Sequence, residues 1–176
     1  MCNLKTKITF MILRYLSAIA AAIALPLIYL ALRPITIYPI FLITSLLYNS
    51  SLQNNVLVIG SHSITFIDAC IAGSAYLLLF ILNVLVPMNL KRRIYVLILD
   101  FFLLLLFNIT RIIILIIFLI NNSLAFDFTH QLFWYAISTL FVAFIWFLNI
   151  IIFKIKEIPI YSDIKYILKN VKLKEK

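Results

Sequence analysis

Long runs of apolar residues constrain this chain more than any other feature of its sequence. Residues 9–32, 70–87, 94–120 and 130–153 carry few charges, and each run is close to or above the roughly 20 residues that cross the hydrocarbon core of a bilayer. The chain is 65% hydrophobic and only 12% charged, which is far from the balance of a soluble domain. We therefore predict an all-α polytopic membrane protein with about four to five transmembrane helices, built as a single membrane domain over residues 1–176.

The segments between these runs differ in character. Residues 35–48 are apolar but short and contain Pro39, which favours an interfacial helix or a short transmembrane helix. Residues 53–69 are the most polar stretch ahead of the tail, and two short β-branched runs around Gly60 predict an extracytoplasmic β-hairpin before the Cys helix. Residues 154–176 are rich in lysine and predict a basic cytoplasmic tail.

The net charge of +9 is a common sign of nucleic-acid binding, but the placement of the charge argues against that function. Basic residues gather near Lys5, at residues 91–93 and in the tail, which is typical of the cytoplasmic segments of a multi-pass membrane protein. An odd number of crossings before residue 49 then puts the hairpin on the extracytoplasmic side. We predict a location in the cell membrane, an active site facing outward and no nucleic-acid partner.

Arg111 is the strongest functional signal, because an arginine inside a transmembrane segment costs about 2.5–3.5 kcal/mol on insertion scales and normally faces protein. A rise of about 1.5 Å per residue puts it in the outer half of the bilayer, slightly deeper than Cys70 and His130. Those two residues are each predicted to begin a helix at the outer boundary. Asn108 lies one turn below Arg111 and is expected to hold its guanidinium. Asp127 precedes His130 by three residues and is expected to orient its ring or to cap the last helix.

Cysteine, histidine and arginine at one water-facing edge supply the groups that acyl transfer requires. The helix dipole favours the thiolate of a cysteine at a helix start, an imidazole can exchange its proton, and a guanidinium can stabilise an oxyanion. Each residue also has an ordinary explanation, as an apolar filler, a polar boundary residue or a lock between helices. The coincidence of three such residues at one height favours the functional interpretation.

The second class of function is a non-catalytic membrane scaffold or small-molecule carrier. In that class Arg111 is a buried structural or binding charge and Cys70 is inert. Carriers often have two matching halves, and the sequence has no internal repeat. A membrane disulfide oxidoreductase is a third class, but Cys2 and Cys70 lie far apart and form no CxxC pair, so neither a dithiol redox site nor a zinc site is predicted.

Three sequence blocks occur in an order that resembles the exosortase/archaeosortase family of membrane-embedded cysteine transpeptidases. They are DACIAGSAYLLL around Cys70, NITRI around Arg111 and FDFTHQLFWY around His130, with a basic loop between the first two. The resemblance covers about residues 53–150 and assigns the family's nucleophile, arginine and histidine to these three positions. Many members have Cys-Ser-Gly in the first block, whereas this chain has Cys-Ile-Ala-Gly, as expected of a compact archaeal-type member.

The resemblance implies a reaction and its partners. A membrane cysteine protease or transpeptidase of this kind cleaves the C-terminal sorting signal of membrane-anchored surface proteins through a Cys70 thioester. It then transfers them to an acceptor such as an amine or a lipid headgroup. His130 would act as general acid and base and Arg111 would stabilise charge. The supporting positions of Asn108 and Asp127 come from their spacing in the sequence and not from the resemblance. The resemblance implies no metal and no organic cofactor.

Overall fold

The computed structural model describes residues 4–121, 125–155 and 161–165, with side chains from residue 8 onward. Over these residues the chain is mostly helical, with one small antiparallel sheet inserted between its second and third helices. The elements are α1 (Leu4–Ile23), α2 (Leu25–Leu47), β1 (Ser50–Gln53), β2 (Val56–Ile59), β3 (His62–Thr65), α3 (Asp68–Ile71), α4 (Gly73–Leu85), α5 (Leu90–Ile120), α6 (Phe126–Leu132) and α7 (Ser138–Ile152). The prediction of a helical fold with a short β-segment ahead of the cysteine is confirmed.

Helices α1 and α2 form one nearly continuous helix. Pro26, in the first turn of α2, has no N–H to donate, so it interrupts the regular hydrogen-bond ladder next to Ala24. Bonds from the Ala24 N–H to the Ala20 carbonyl (3.0 Å) and from the Ile28 N–H to the Ala24 carbonyl (3.1 Å) carry the ladder across the interruption. The break is therefore one residue long, as is typical of a proline kink.

In this region the structure differs from the sequence prediction, which ends one run at residues 9–32 and begins a separate helix at residues 35–48. Helix α2 continues from Leu25 to Leu47 and includes both Pro34 and Pro39. Arginine and proline are local signals for a helix end. The packing of α2 against β1, α4 and α5 outweighs them, because tertiary contacts routinely override local propensity.

The β-segment is a three-stranded antiparallel meander in the order β1–β2–β3. Two-residue turns join the strands, and the first residue of each turn, Asn54 or Gly60, has a positive φ of 54° or 58°. Val58 pairs with Ser51 of β1 and with Ser63 of β3. The predicted hairpin corresponds to β2 and β3. The sequence SSLQ of β1 carries no strand signal, because it lacks the β-branched and aromatic residues that strands favour.

Two buried apolar clusters hold the fold together. In the first, Leu57 and Ile59 of β2 pack against Ile40 of α2, Ile71 of α3 and Ile112 of α5. The second lies between α4, α5 and α7 and consists of Leu79, Leu104, Val142 and Ile145. The first cluster therefore fixes the sheet and the cysteine segment against the end of the helix bundle, and the second fills its middle.

Three helical stretches of the described residues are long and apolar enough to cross a membrane, namely Leu25–Leu47, Leu90–Ile120 and the combined stretch Phe126–Ile152. The apolar stretches Ile8–Ile23 of α1 and Gly73–Leu85, which is α4, are shorter. Many large apolar side chains on these helices are exposed, as expected for surfaces that contact lipid. The helices are thus consistent with a membrane protein, and the predicted four to five transmembrane helices are not confirmed by helix length.

Two other helices begin at residues that differ from the prediction. The helix predicted over residues 70–87 is α4, which begins only at Gly73 because α3 ends before it. The helix predicted over residues 94–120 begins earlier, at Leu90. The basic residues 91–93 therefore lie in the first turn of α5 rather than in a loop.

The last transmembrane stretch also begins earlier than predicted. The sequence predicts a helix over residues 130–153, whereas α6 begins at Phe126 and leads through a π-helical turn, Phe133–Ile137, into α7. Most of the predicted tail at residues 154–176 lies outside the described residues. Residues 161–165 are described and are helical.

Candidate active site

Cys70 lies on the one-turn helix α3, between the sheet and α4. Its N–H donates to the carbonyl of Ile67 (2.9 Å), and the fully buried Ile71 anchors the turn in the core. Ala72 follows in the left-handed conformation (φ 57°, ψ 28°), so α3 and α4 are separate helices. The predicted gain from the dipole of a long helix therefore does not apply to Cys70, because the dipole of a single turn is small.

Asn108 of α5 holds the backbone at the cysteine. Its amide donates a hydrogen bond to the Cys70 carbonyl at 2.8 Å, and the Asn108 side chain is buried. The prediction that Asn108 holds the Arg111 guanidinium stays a prediction, because the bond to Cys70 uses the amide nitrogen whereas a guanidinium needs the amide oxygen. A buried carbonyl needs such a donor, so the bond ties α5 to the cysteine segment.

Arg111 is 8% exposed and reaches toward the last helix. Its Nη1 donates to the Ser138 hydroxyl at 3.2 Å, and that hydroxyl donates in turn to the Phe133 carbonyl at 2.5 Å. The Arg111 guanidinium also lies within electrostatic range of the Cys70 thiol. Its Nε has no hydrogen-bond partner among the described residues, so this buried cation keeps donor capacity that a bound oxygen atom can use.

The π-helical turn Phe133–Ile137 explains how Ser138 reaches Arg111. The Ser138 N–H donates to the Phe133 carbonyl, five residues earlier, which is the π-helical hydrogen bond. A single π turn inserts one residue and re-aims the side chains that follow it, and such turns are frequent at functional sites. The local geometry therefore turns a serine toward the buried arginine.

His130 lies on α6 and is exposed, with aromatic rings on both sides. Its ring stacks on Phe126 at a centroid distance of 5.8 Å and meets Trp134 edge-on at 6.4 Å. These residues are four positions apart, so they lie on one helix face and fix the orientation of the imidazole. The predicted role of Asp127 is not supported, since no hydrogen bond joins it to His130 in the described part of the chain. It also does not cap α6, where Ala125 is the N-cap residue.

A cavity of about 250 Å³ brings the three predicted residues together. Cys70, Arg111 and His130 all line it, from three different helices. Most of the other lining residues are apolar and come from α5, α6 and the segment between β3 and α3. A thiol, an imidazole and a buried guanidinium around one small apolar cavity are the kinds of group that acyl chemistry uses.

A second cavity, of about 630 Å³, is also lined by Arg111. It extends between α4 and α7 and is lined by Asn108, Arg111, Trp134 and Ser138 among mostly apolar neighbours. Arg111 and Trp134 line both cavities. The guanidinium therefore borders the cysteine cavity and a larger apolar space at once.

Three contributors to this region carry no functional prediction from the sequence. Ser138 lies eight residues after His130, which is about two helical turns, and that spacing was the available signal for it. Trp134 fits an aromatic belt equally well from sequence alone. Arg33 forms an ion pair with Asp68 (2.6 Å), a long-range contact that no local pattern predicts.

Comparisons with protein-family models, with curated protein sequences and with solved structures gave no match for this chain. Within the described ranges, no group of three His, Cys, Asp or Glu side chains gathers in a way that could hold a metal ion.

Proposed function

We propose that this chain is a membrane cysteine peptidase or transpeptidase of the exosortase/archaeosortase kind. The observation that carries the proposal is the shared cavity of Cys70, Arg111 and His130. The sequence blocks that resemble the family name the same three residues, and the cavity supports their acting together. The substrates would be membrane-anchored proteins with a C-terminal sorting signal.

Each of the three residues has a role that its surroundings suit. His130 takes the proton of the Cys70 thiol, the sulfur attacks the carbonyl carbon of the scissile peptide bond, and Arg111 donates to the oxyanion that forms. Collapse of this intermediate breaks the C–N bond, and the His130 imidazolium gives the leaving amine its proton. The product is a Cys70 thioester. An amine or a lipid hydroxyl then attacks the thioester, loses its proton to His130 and displaces the Cys70 thiolate, which regains a proton from the His130 imidazolium.

Two ion pairs support a membrane orientation for this site. Arg14 of α1 bonds Asp163 (2.7 Å) and the Leu85 carbonyl (3.2 Å), which marks one level of the bundle. The pair Arg33–Asp68 marks another level. Nineteen residues separate the two arginines, or about 28 Å at 1.5 Å per residue, and a hydrocarbon core is about 30 Å thick.

The two levels favour four crossings. The chain joins them four times: through the helix from Arg14 to Arg33, through α3 and α4 from Asp68 to Leu85, through α5, and through the stretch Phe126–Ile152. The short α4 is sufficient because α3 precedes it. The basic residues 91–93 lie at the Arg14 level, which the positive-inside rule makes cytoplasmic. Cys70 then lies at the outer level, where a sorting signal is cleaved.

The rate of Cys70 alkylation by a membrane-impermeant thiol reagent, applied from the outer face, tests the proposal. The measurement uses intact vesicles and a Cys2→Ser background, so that Cys70 is the reacting thiol. Thiolates react and thiols do not, so removal of a group that stabilises or generates the thiolate slows alkylation. We expect Arg111→Ala and His130→Ala each to lower the rate by about tenfold.

His62→Ala is the matched control, because His62 is the other histidine of the sequence and, although it lies in β3, does not line the cavity. Its alkylation rate should equal that of the parent protein. A Cys70 that is unreactive from outside, or that responds to neither Arg111 nor His130, would contradict the proposal. In that case the scaffold or carrier function, with Arg111 as a structural charge bonded to Ser138, becomes the better one.

A further inference from the structure

A buried polar cluster lies in the bundle outside the proposed active site. It consists of Asn83 of α4, Asp100 of α5 and Asn149 of α7, which are 0%, 4% and 0% exposed. Asp100 is eleven residues from Arg111 on the same helix, or about 16 Å along its axis. Asn149 Nδ2 donates to Asp100 Oδ1 at 2.5 Å, and the Asn83 amide lies beside the same carboxyl.

Each residue of the cluster has one side-chain oxygen without a donor. Among the described residues, Asp100 Oδ2, Asn83 Oδ1 and Asn149 Oδ1 are all buried and all lack a hydrogen-bond partner. Asn83 Nδ2 also makes a long bond, 3.5 Å, to the Arg93 carbonyl. Buried polar atoms are normally paired, so three orphaned acceptors on three adjoining residues indicate a missing positive or donating partner.

Among the described residues, no cationic side chain pairs with this carboxyl. The nearest arginine on α5, Arg93, lies about two turns away, and its Nη2 donates to the carbonyls of Val84 (3.4 Å) and Val86 (3.0 Å). Tyr76 of α4 is the titratable side chain that shares a cavity with Asp100, and the described residues of α1, α2 and α7 that face it are apolar or amide. A carboxylate without a counter-charge in the membrane is strongly unfavourable.

We infer that Asn83, Asp100 and Asn149 form a site for one monovalent cation, either a proton or Na⁺, inside the membrane domain. A proton on Asp100 Oδ2 neutralises the carboxyl and converts that oxygen into a donor for an amide oxygen. Na⁺ neutralises the same charge and takes the carboxyl and amide oxygens as ligands, the donor type that hard cations prefer. Either cation joins α4, α5 and α7 at one point.

An apolar cavity of about 500 Å³ borders the site and would be the route by which a cation reaches Asp100. Asp100 and Tyr76 are the polar residues that line it, together with Ala21 and Ala24 at the break between α1 and α2. The Tyr76 hydroxyl is buried and also lacks a partner in the described part of the chain. The cavity therefore leads from the kinked first helix to the carboxyl.

The midpoint temperature of unfolding tests this inference in the purified full chain. It is measured against pH in Na⁺-free buffer, and against NaCl with N-methylglucamine chloride at equal ionic strength. If the cation is a proton, the folded chain holds a proton that the unfolded chain releases, so the midpoint falls as pH rises. If the cation is Na⁺, the midpoint rises with NaCl by roughly 2–4 °C.

Asp100→Asn keeps the acceptor for Asn149 and removes the charge, so it should abolish whichever dependence the parent shows. Asp127→Asn removes an exposed carboxylate and should leave that dependence unchanged. Two direct readouts use the parent protein and do not depend on any variant folding. They are the infrared C=O band of a protonated carboxylic acid at neutral pH and equilibrium binding of radioactive Na⁺. A parent with neither an acid band nor bound Na⁺, or a band unchanged in Asp100→Asn, would overturn the inference.

Discussion

At the scale of single residues, the site is held by hydrogen bonds that cross between helices. The Asn108 amide of α5 donates a hydrogen bond to the Cys70 carbonyl. The Ser138 hydroxyl accepts a hydrogen bond from Arg111 and donates one to the Phe133 carbonyl. Neither asparagine nor serine reacts in the proposed chemistry. Both fix the atoms that do, so their loss should change stability and cysteine reactivity together.

Asn108→Leu should lower the free energy of unfolding by about 1–3 kcal/mol, because the Cys70 carbonyl loses its buried donor. Thermal or denaturant unfolding of the purified protein measures the change. Thr110→Val is the matched control. Thr110 lies on the same helix but is exposed, and its hydroxyl donates to the Leu106 carbonyl within that helix. The free energy of unfolding of Thr110→Val should therefore stay within about 0.5 kcal/mol of the parent value. Equal changes in the free energy of unfolding for the two substitutions would mean that the cross-helix bond contributes no more to stability than a bond within one helix.

Ser138→Ala should slow Cys70 alkylation severalfold and cost about 1 kcal/mol of stability, because Arg111 loses the acceptor at 3.2 Å. Ser138→Thr keeps the hydroxyl and should restore the alkylation rate. The neighbouring Thr139→Val, at an exposed position that bonds Tyr135, serves as the control. A Ser138→Ala protein that is less stable but alkylates at the parent rate would limit Ser138 to a structural role.

At the scale of elements, the approach of α4 to α2 decides where the cysteine segment lies. A Cβ atom at Gly73 would lie 2.6 Å from the ring of Tyr29, so the first residue of α4 must be glycine for this contact to form. The preceding residue, Ala72, has a positive φ and breaks the helix. These two residues let α3 hold Cys70 at the cavity while α4 runs away from it.

Gly73→Ala should destabilise the protein by about 1–3 kcal/mol, because the added methyl group collides with the Tyr29 ring. Tyr29→Leu in the same chain should recover part of that loss, and a double-mutant cycle of unfolding free energies measures the coupling. Gly60→Ala makes a useful comparison. It meets no atom within 4 Å but forces a left-handed alanine (φ 58°), so its cost of about 1–2 kcal/mol should not respond to Tyr29→Leu. Absence of coupling at Gly73 would rule out the collision.

The elements also show what a sequence can and cannot predict here. Apolar runs and β-branched pairs are local signals, so the helices and the hairpin β2–β3 were predictable from them. The polar strand β1, the continuation of α2 past Pro34 and the separation of α3 from α4 depend on contacts with distant segments. At the candidate site, residue type alone was enough to single out Cys70, Arg111 and His130. The hydrogen-bond partner of Asn108 and the ion-pair partner of Asp68 could not be predicted, because both lie far away in the sequence.

At the scale of the whole molecule, the ion pairs Arg14–Asp163 and Arg33–Asp68 lie toward opposite ends of the helix bundle. The sheet and α3 lie with Arg33 and Asp68 at one end, and the start of α5 lies with Arg14 and Asp163 at the other. The charges thus sit at the boundaries of the slab that the apolar helices fill, which is where charged groups are tolerated. This arrangement predicts that the turn before β3 and the start of α5 lie on opposite sides of the membrane.

A single cysteine introduced at Ser61 should react with an impermeant thiol reagent from the outer face of intact cells, because it lies in the turn before β3. A cysteine at Lys91 should react only after the membrane is permeabilised. Both are exposed positions, and a background lacking Cys2 and Cys70 removes other thiols. Labelling of both positions in intact cells, or of neither, would refute four crossings with the basic residues inside.

The bond between Arg14 and Asp163 has a consequence for the order of synthesis. The two residues are 149 positions apart, so a ribosome adding about 5–20 residues per second makes the arginine roughly 7–30 s before its partner. During that interval the first helix has already met the translocation machinery with an unpaired cation, which lipid headgroups must neutralise. Early insertion of this protein should therefore be sensitive to the anionic lipid content of the membrane, whereas the finished molecule carries its own counter-ion.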